Sequence, residues 1–182
     1  MKNFTPHDLI LIACLSAIGL AIKPIINPMI HIVTSAIRVP GGSLSGGFLM
    51  MWMVLARVLV NKPGSALLFG VAQGLTVMLL GFFGSHGVFS IVSYALPGLV
   101  LEAVALIIKG RSLFTLCAYC VMANITGTML VAIFIMQLPQ LLMVIAGFTA
   151  ILSGMMGGWL TQMVLVKLEK VDIIPKDKRR IE

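Results

Sequence analysis

Charge is what this sequence has least of: only 10% of its 182 residues are Asp, Glu, Lys or Arg, and only six are acids. A water-soluble domain of this length carries about 25% charged residues, so a soluble fold is excluded. Cysteine is scarce too, and Cys14, Cys117 and Cys120 all fall inside apolar runs. A thiol packs there as a small hydrophobe, so no disulfide framework follows. Cys117-Ala-Tyr-Cys120 has metal-like spacing but no second Cys or His pair beside it, which speaks against zinc. Also missing are GxxxxGK[ST], GxSxG and HExxH. The three histidines, His7, His31 and His86, sit at or beyond the ends of apolar spans. The pattern therefore predicts no ATPase, no intramembrane protease, no bound metal and no cofactor.

What fills the chain is apolar: 59% of residues are hydrophobic and the mean hydropathy is +1.09. A helix needs roughly 20 apolar residues to cross about 30 Å of hydrocarbon. The long runs lack period-two alternation, so helices rather than a barrel satisfy the backbone. The sequence predicts an all-α membrane protein, one integral domain over 1–182 built as a six-transmembrane-helix bundle. The expected spans are 8–22, 42–60, 64–83, 88–108, 113–135 and 140–168, with a short basic tail over 169–182. The breaks between them carry Pro, Gly or Asn, as at Asn61-Lys-Pro-Gly64 and Leu138-Pro139. The start of the chain has a weak basic end before Leu9–Ile22 and is read as the first helix, not as a signal peptide.

The charges orient the bundle. With cytoplasmic N- and C-termini, eleven of the thirteen Lys and Arg lie at the inner side, leaving Lys23 and Arg38 outside. That asymmetry explains the net charge of +7 as a topology signal and leaves no need for a nucleic-acid partner. The segment from Lys23 to Gly41 is apolar and broken by Pro24 and Pro28. It is either an outer loop folded over the bundle mouth as a lid or a continuation of the first helix past a proline kink. Ala13, Ala17 and Ala21 form a stripe of small residues on the first span, suited to close approach by another helix, in this bundle or in a partner. Gly154, Gly157 and Gly158 serve close packing in the last span, and thirteen methionines supply flexible apolar filling.

The Ala13-xxx-Ala17-xxx-Ala21 stripe, six spans in under 200 residues, cytoplasmic termini and a basic tail together resemble the S components of energy-coupling factor (ECF) vitamin transporters. Asn61-Lys-Pro-Gly-Ser-Ala-Leu67, Leu80-Gly81 and Gly98-Leu-Val-Leu-Glu102 are similar to the YkoE-like thiamine/hydroxymethylpyrimidine branch. The general resemblance covers nearly the whole chain and the branch-specific part about 60–110. It implies a multi-pass subunit of the bacterial plasma membrane that captures a vitamin outside, docks through Ala13, Ala17 and Ala21 on a transmembrane coupling subunit, and reorients. Two separate ATPase subunits would drive the cycle.

Candidate ligand contacts follow from chemistry. Glu102 is the one acid well inside a span, where an unpaired charge costs about 2.5–3.5 kcal/mol. It can meet a substrate amine or pyrimidine, or pair with Arg57 or Lys109. Trp52 and Tyr94 are placed to stack on a flat ring, or to anchor at an interface as aromatics do. Gln73, Asn124 and Gln137 can orient a heterocycle or bond between helices. His31 and Arg38 flank the outer face, where they can draw in an anionic group or simply be solvated. The outer half in this topology has almost no acid, which sits poorly with a thiazolium cation. An S component for cobalamin or another tetrapyrrole, and a stand-alone channel or facilitator, are the alternatives.

Overall fold

The computed structural model describes residues 4–37, 41–81 and 87–172, with the backbone alone at 31 and 33–37. The described residues form α1 (Pro6–Ile37), α2 (Gly41–Val60), α3 (Ser65–Leu80), α4 (Phe89–Ile107), α5 (Leu113–Leu130), a π-helical turn (Val131–Ile135) and α6 (Gln140–Lys170). No strand occurs among them.

The helix ends have local causes. Thr5 and Asp8 form a reciprocal capping box at the start of α1: the Thr5 N–H donates to Asp8 Oδ2 at 2.7 Å and the Asp8 N–H to Thr5 Oγ1 at 3.3 Å. Asn61 and Gly64, with φ of 50° and 91°, turn the chain between α2 and α3. The Ser112 hydroxyl caps α5 by accepting from the Thr115 N–H.

Of the two readings of the segment after Lys23, the described residues follow the continued first helix and not the lid. α1 runs without interruption through Pro24 and Pro28 to Ile37, so residues 23–37 are helix. Each proline withholds a hydrogen bond from the carbonyl four residues back. Both rings lie one turn apart on the exposed side of α1, so any bend they impose costs no packing inside the bundle. Residues 38–40, including Arg38, lie outside the described residues.

Among the described residues, five helices are long and apolar enough to cross a membrane: α1 over Pro6–Ile30, α2, α4, α5 with its π turn, and α6. α3 has 16 residues, about 24 Å at 1.5 Å per residue, and falls short of a full hydrocarbon core where six spans were expected. α2 is the central helix. It contacts α1, α3, α5 and α6, and 61% of its apolar window is buried against 28–33% in the other four.

The bundle is inverted relative to a soluble protein. Large aliphatic side chains such as Ile107, Leu79 and Ile32 point outward, while Ser43, Ser65, Ser90, Asn124 and Thr161 are buried. Close backbone approach replaces large-residue packing where helices cross. A Cβ on Gly47 would run into the Ser153 backbone, and one on Gly157 into Gly47. The same crossing is tied by Ser153 Oγ, which accepts from the Gly47 N–H at 3.0 Å and donates to the Leu44 carbonyl at 2.5 Å.

Candidate binding cavity

Reversal of direction at each connection gives the bundle two unlike ends. One gathers the starts of α1, α3 and α5 with the ends of α2, α4 and α6, and it holds the ion pairs. Lys62 pairs there with Asp8, and Arg57 Nε lies 3.0 Å from Glu102 Oε2. Arg111 reaches the Val58 carbonyl at 3.3 Å, and the Tyr119 hydroxyl donates to the Ile108 carbonyl at 2.5 Å. An open cavity of about 680 Å³ at this end is walled by Lys109, Arg111, Lys167 and Lys170. Its cations belong to the one-sided charge pattern of the chain.

The opposite half contains an inner cavity of about 280 Å³ reached by all of α1 to α5. Space for it comes from Gly41, Gly42, Ser45 and Gly46 at the start of α2, where side chains are absent or short. Leu49, Met50, Met53 and Met136 supply apolar walls, and Lys23, Asn27, Gln73, Ser93, Tyr94, Asn124 and Thr128 supply polar ones. The π turn contributes Val131 and Ile135. Its wider hydrogen bonding, with the Met136 N–H reaching the Val131 carbonyl at 2.9 Å, displaces this wall from regular helical register.

Several polar groups of the wall are already engaged. Gln73 donates to the Ser16 carbonyl at 3.3 Å, and Ser45 and Ser93 donate to carbonyls of their own helices. Asn124 uses its amide nitrogen twice, toward Ser43 at 3.2 Å and Ala150 at 2.9 Å, and so clasps α2, α5 and α6. The Thr128 hydroxyl is buried without a hydrogen-bond partner among the described residues. Lys23 is 3% exposed, and its ammonium sits 3.9 Å from the centroid of the Tyr94 ring. That position is attractive to a cation, since the ring face is negative.

Of the residues singled out from sequence, Tyr94, Gln73 and Asn124 meet in this cavity. Glu102 does not line it. Its carboxylate takes Arg57 and also the Ala66 N–H at 2.8 Å, which is the structural pairing. Trp52 is likewise absent from the lining; it packs beside Gly19 and makes an edge contact with Phe48. Gln137 is exposed, with φ of 48°, in the turn before α6. The His31 side chain, like Arg38, lies outside what the structure describes. Among the described residues α6 contributes nothing to the wall; it lies behind α2 and α5. Sequence reasoning placed Lys23 only as a charge on the outer side and missed it as a cavity residue. The available signal was a lone cation four residues before Asn27 in a proline-broken apolar stretch.

Ala13, Ala17 and Ala21 are all exposed on α1. Of the two uses open to this stripe, packing inside the bundle is therefore not the one the fold makes.

No curated protein and no solved structure matches the chain. The model of a family described as "ABC-type cobalt transport system, permease component" matches residues 7–129, about two thirds of the sequence and nearly all of α1 to α5, the helices that build the cavity. The chain is thus a multi-pass membrane transport component, and it belongs to the family of permease components of ABC-type cobalt transport systems.

Proposed function

We propose that this permease component is the substrate-capturing subunit of an ECF-type importer and that the cavity among α1 to α5 holds the substrate. The observation that carries the reading is the cavity itself, a partly enclosed space with convergent polar groups in one half of the bundle. The other half is tied by the Arg57–Glu102 and Lys62–Asp8 pairs. With the basic end facing the cytoplasm, the cavity belongs to the outer half of a bacterial plasma membrane protein whose termini are both inside. α3 then counts as a sixth, short span buried between neighbours, with the bilayer thinned or the helix flanked by protein where it falls short.

The exposed Ala13, Ala17 and Ala21 stripe supports docking of α1 on a transmembrane coupling subunit. ATP hydrolysis falls to two separate ATPase subunits, and the chain itself catalyses no reaction. For cargo, the family description suggests cobalt, but the donor chemistry argues for an organic molecule. Among the described residues no three His, Cys, Asp or Glu side chains converge on a metal position, and the cavity presents a lysine. At about 280 Å³ it is also small for a tetrapyrrole such as cobalamin, since ordinary drug-sized ligands occupy sites of about 300–1,000 Å³. A compound of the thiamine/hydroxymethylpyrimidine branch fits, with the ring against Tyr94 and the methionines, and the pyrimidine fits better than the thiazolium.

Mass spectrometry of small molecules released from the purified chain, followed by calorimetric titration, tests the reading. One-to-one binding of hydroxymethylpyrimidine is expected, with uptake into proteoliposomes only when coupling and ATPase subunits are added. Uptake by the chain alone would make it a stand-alone facilitator instead.

A further inference from the structure

The cavity combines three facts that bear on the charge of its ligand. Lys23 faces it from α1 with 3% of its surface exposed and no ion pair or hydrogen bond among the described residues, its one contact of note being the Tyr94 ring. The six acids of the chain are Asp8, Glu102, Glu169, Asp172, Asp177 and Glu182, and none of the four among the described residues, Asp8, Glu102, Glu169 and Asp172, lines the cavity. The buried Thr128 hydroxyl, which lines the same cavity, has no hydrogen-bond partner among the described residues.

A buried ammonium is tolerated when an opposite charge meets it and is otherwise strongly disfavoured. The carboxylates of Asp8 and Glu102 are each engaged at the other end of the bundle. Tyr94 offers only its ring face, a fraction of what a counter-anion gives. The missing partner is therefore external, and the cavity is open to receive it. Asn27, one turn beyond Lys23, and Thr128 add hydrogen-bonding groups around the same space.

We propose that Lys23, held over Tyr94, is the specificity-determining residue of the cavity and binds an anionic group of the transported molecule, so that the site takes a small organic anion with a flat apolar body and rejects cations. The anionic group is a carboxylate or a phosphate ester. This rests on the cavity being the substrate site and deepens that reading by assigning the charge class of the substrate. It also turns the thiamine-branch resemblance toward acidic derivatives of the pyrimidine, because a thiazolium would be set against an ammonium with no acid to offset it.

The test uses the full chain in nanodiscs and three probes that share one ring: hydroxymethylpyrimidine, its phosphate monoester and thiamine. Calorimetry is expected to rank the phosphate at least about tenfold tighter than the neutral pyrimidine, equivalent to about 1.4 kcal/mol, with thiamine weakest. Lys23→Met is expected to collapse that ranking, and Lys23→Arg to keep it. Lys23→Met is also expected to raise the melting temperature of ligand-free protein, since it removes an uncompensated buried charge; Lys23→Gln serves as the second uncharged variant if the Met form aggregates. Equal affinity for the phosphate and the neutral probe in wild type overturns the proposal, and so does a ranking unchanged by Lys23→Met. Charge-ranked binding together with uptake that needs no coupling subunits keeps the proposal and removes the importer-subunit reading. Failure of all three probes to bind folded protein removes both.

Discussion

Glu102 is held by two donors that sequence spacing alone could not assign to it: the Arg57 guanidinium from α2 and the Ala66 N–H at the start of α3. The carboxylate joins three helices and anchors the end of the bundle that holds the ion pairs. Glu102→Gln leaves the Arg57 charge nearly buried and unpaired, so a loss of about 3 kcal/mol is expected. Equilibrium unfolding of the reconstituted chain reads this loss, and the double variant Arg57→Met with Glu102→Leu should recover most of it. Because Glu102 lies away from the cavity, probe affinity should change less than about threefold in the folded fraction, a difference of under ~1 kcal/mol. A large loss of affinity at undiminished stability would return Glu102 to the ligand. Glu102 and Lys23 each look like an isolated ion in an apolar run, yet the fold gives a protein partner to the first and a cavity to the second. Residue type and spacing do not distinguish these cases, because what decides is which neighbouring helix presents a complementary group at the same depth.

At the level of elements, α2 sets the architecture through its glycines. Gly47 lies against the backbone of Ser153 and Gly157, whereas a Cβ on Gly42 would meet nothing within 4 Å. Gly47→Ala is therefore expected to cost about 3 kcal/mol or more by overpacking a backbone contact, while Gly42→Ala should gain about 0.5–1 kcal/mol through helix propensity. Stability curves of the two variants, measured side by side, check the opposite signs; equal effects would mean that the α2–α6 crossing is looser than described. The spans drawn from hydropathy agree with α2, α4, α5 with its π turn and α6 to within a few residues, since each is bounded by residues that act locally. Asn61, Gly64 and Ser112 terminate or start helices through their own backbone or side chain. The continuation of α1 through two prolines and the π turn of α5 were not legible in the same way. In both, the local preference is overruled by the surroundings: the exposed rings of Pro24 and Pro28 displace nothing, and the π turn forms one wall of the cavity.

For the whole molecule, the docking of another transporter subunit on α1 proposed above can be tested on the helix's exposed face. Ala13, Ala17 and Ala21 lie along it with no side chain large enough to hold off an approaching helix. Ala17→Leu should leave folding and probe binding intact but reduce co-purification with the coupling subunit at least fivefold, about 1 kcal/mol; unchanged assembly would move the contact to another face. Local sequence by itself determined that the chain is a helical membrane protein, where most of its helices begin and end, and that its described cations other than Lys23 gather at one end. These properties depend on how each segment partitions between water and hydrocarbon, and so on local sequence. Only the tertiary structure decided that Lys23, Tyr94, Gln73 and Asn124 surround one cavity, that Glu102 belongs to an ion pair, and that the alanine stripe faces outward. Those outcomes depend on the rotation and depth of each helix against its neighbours. They are fixed by backbone contacts at glycines such as Gly47 and Gly157, about a hundred residues apart in the chain, which no local pattern encodes.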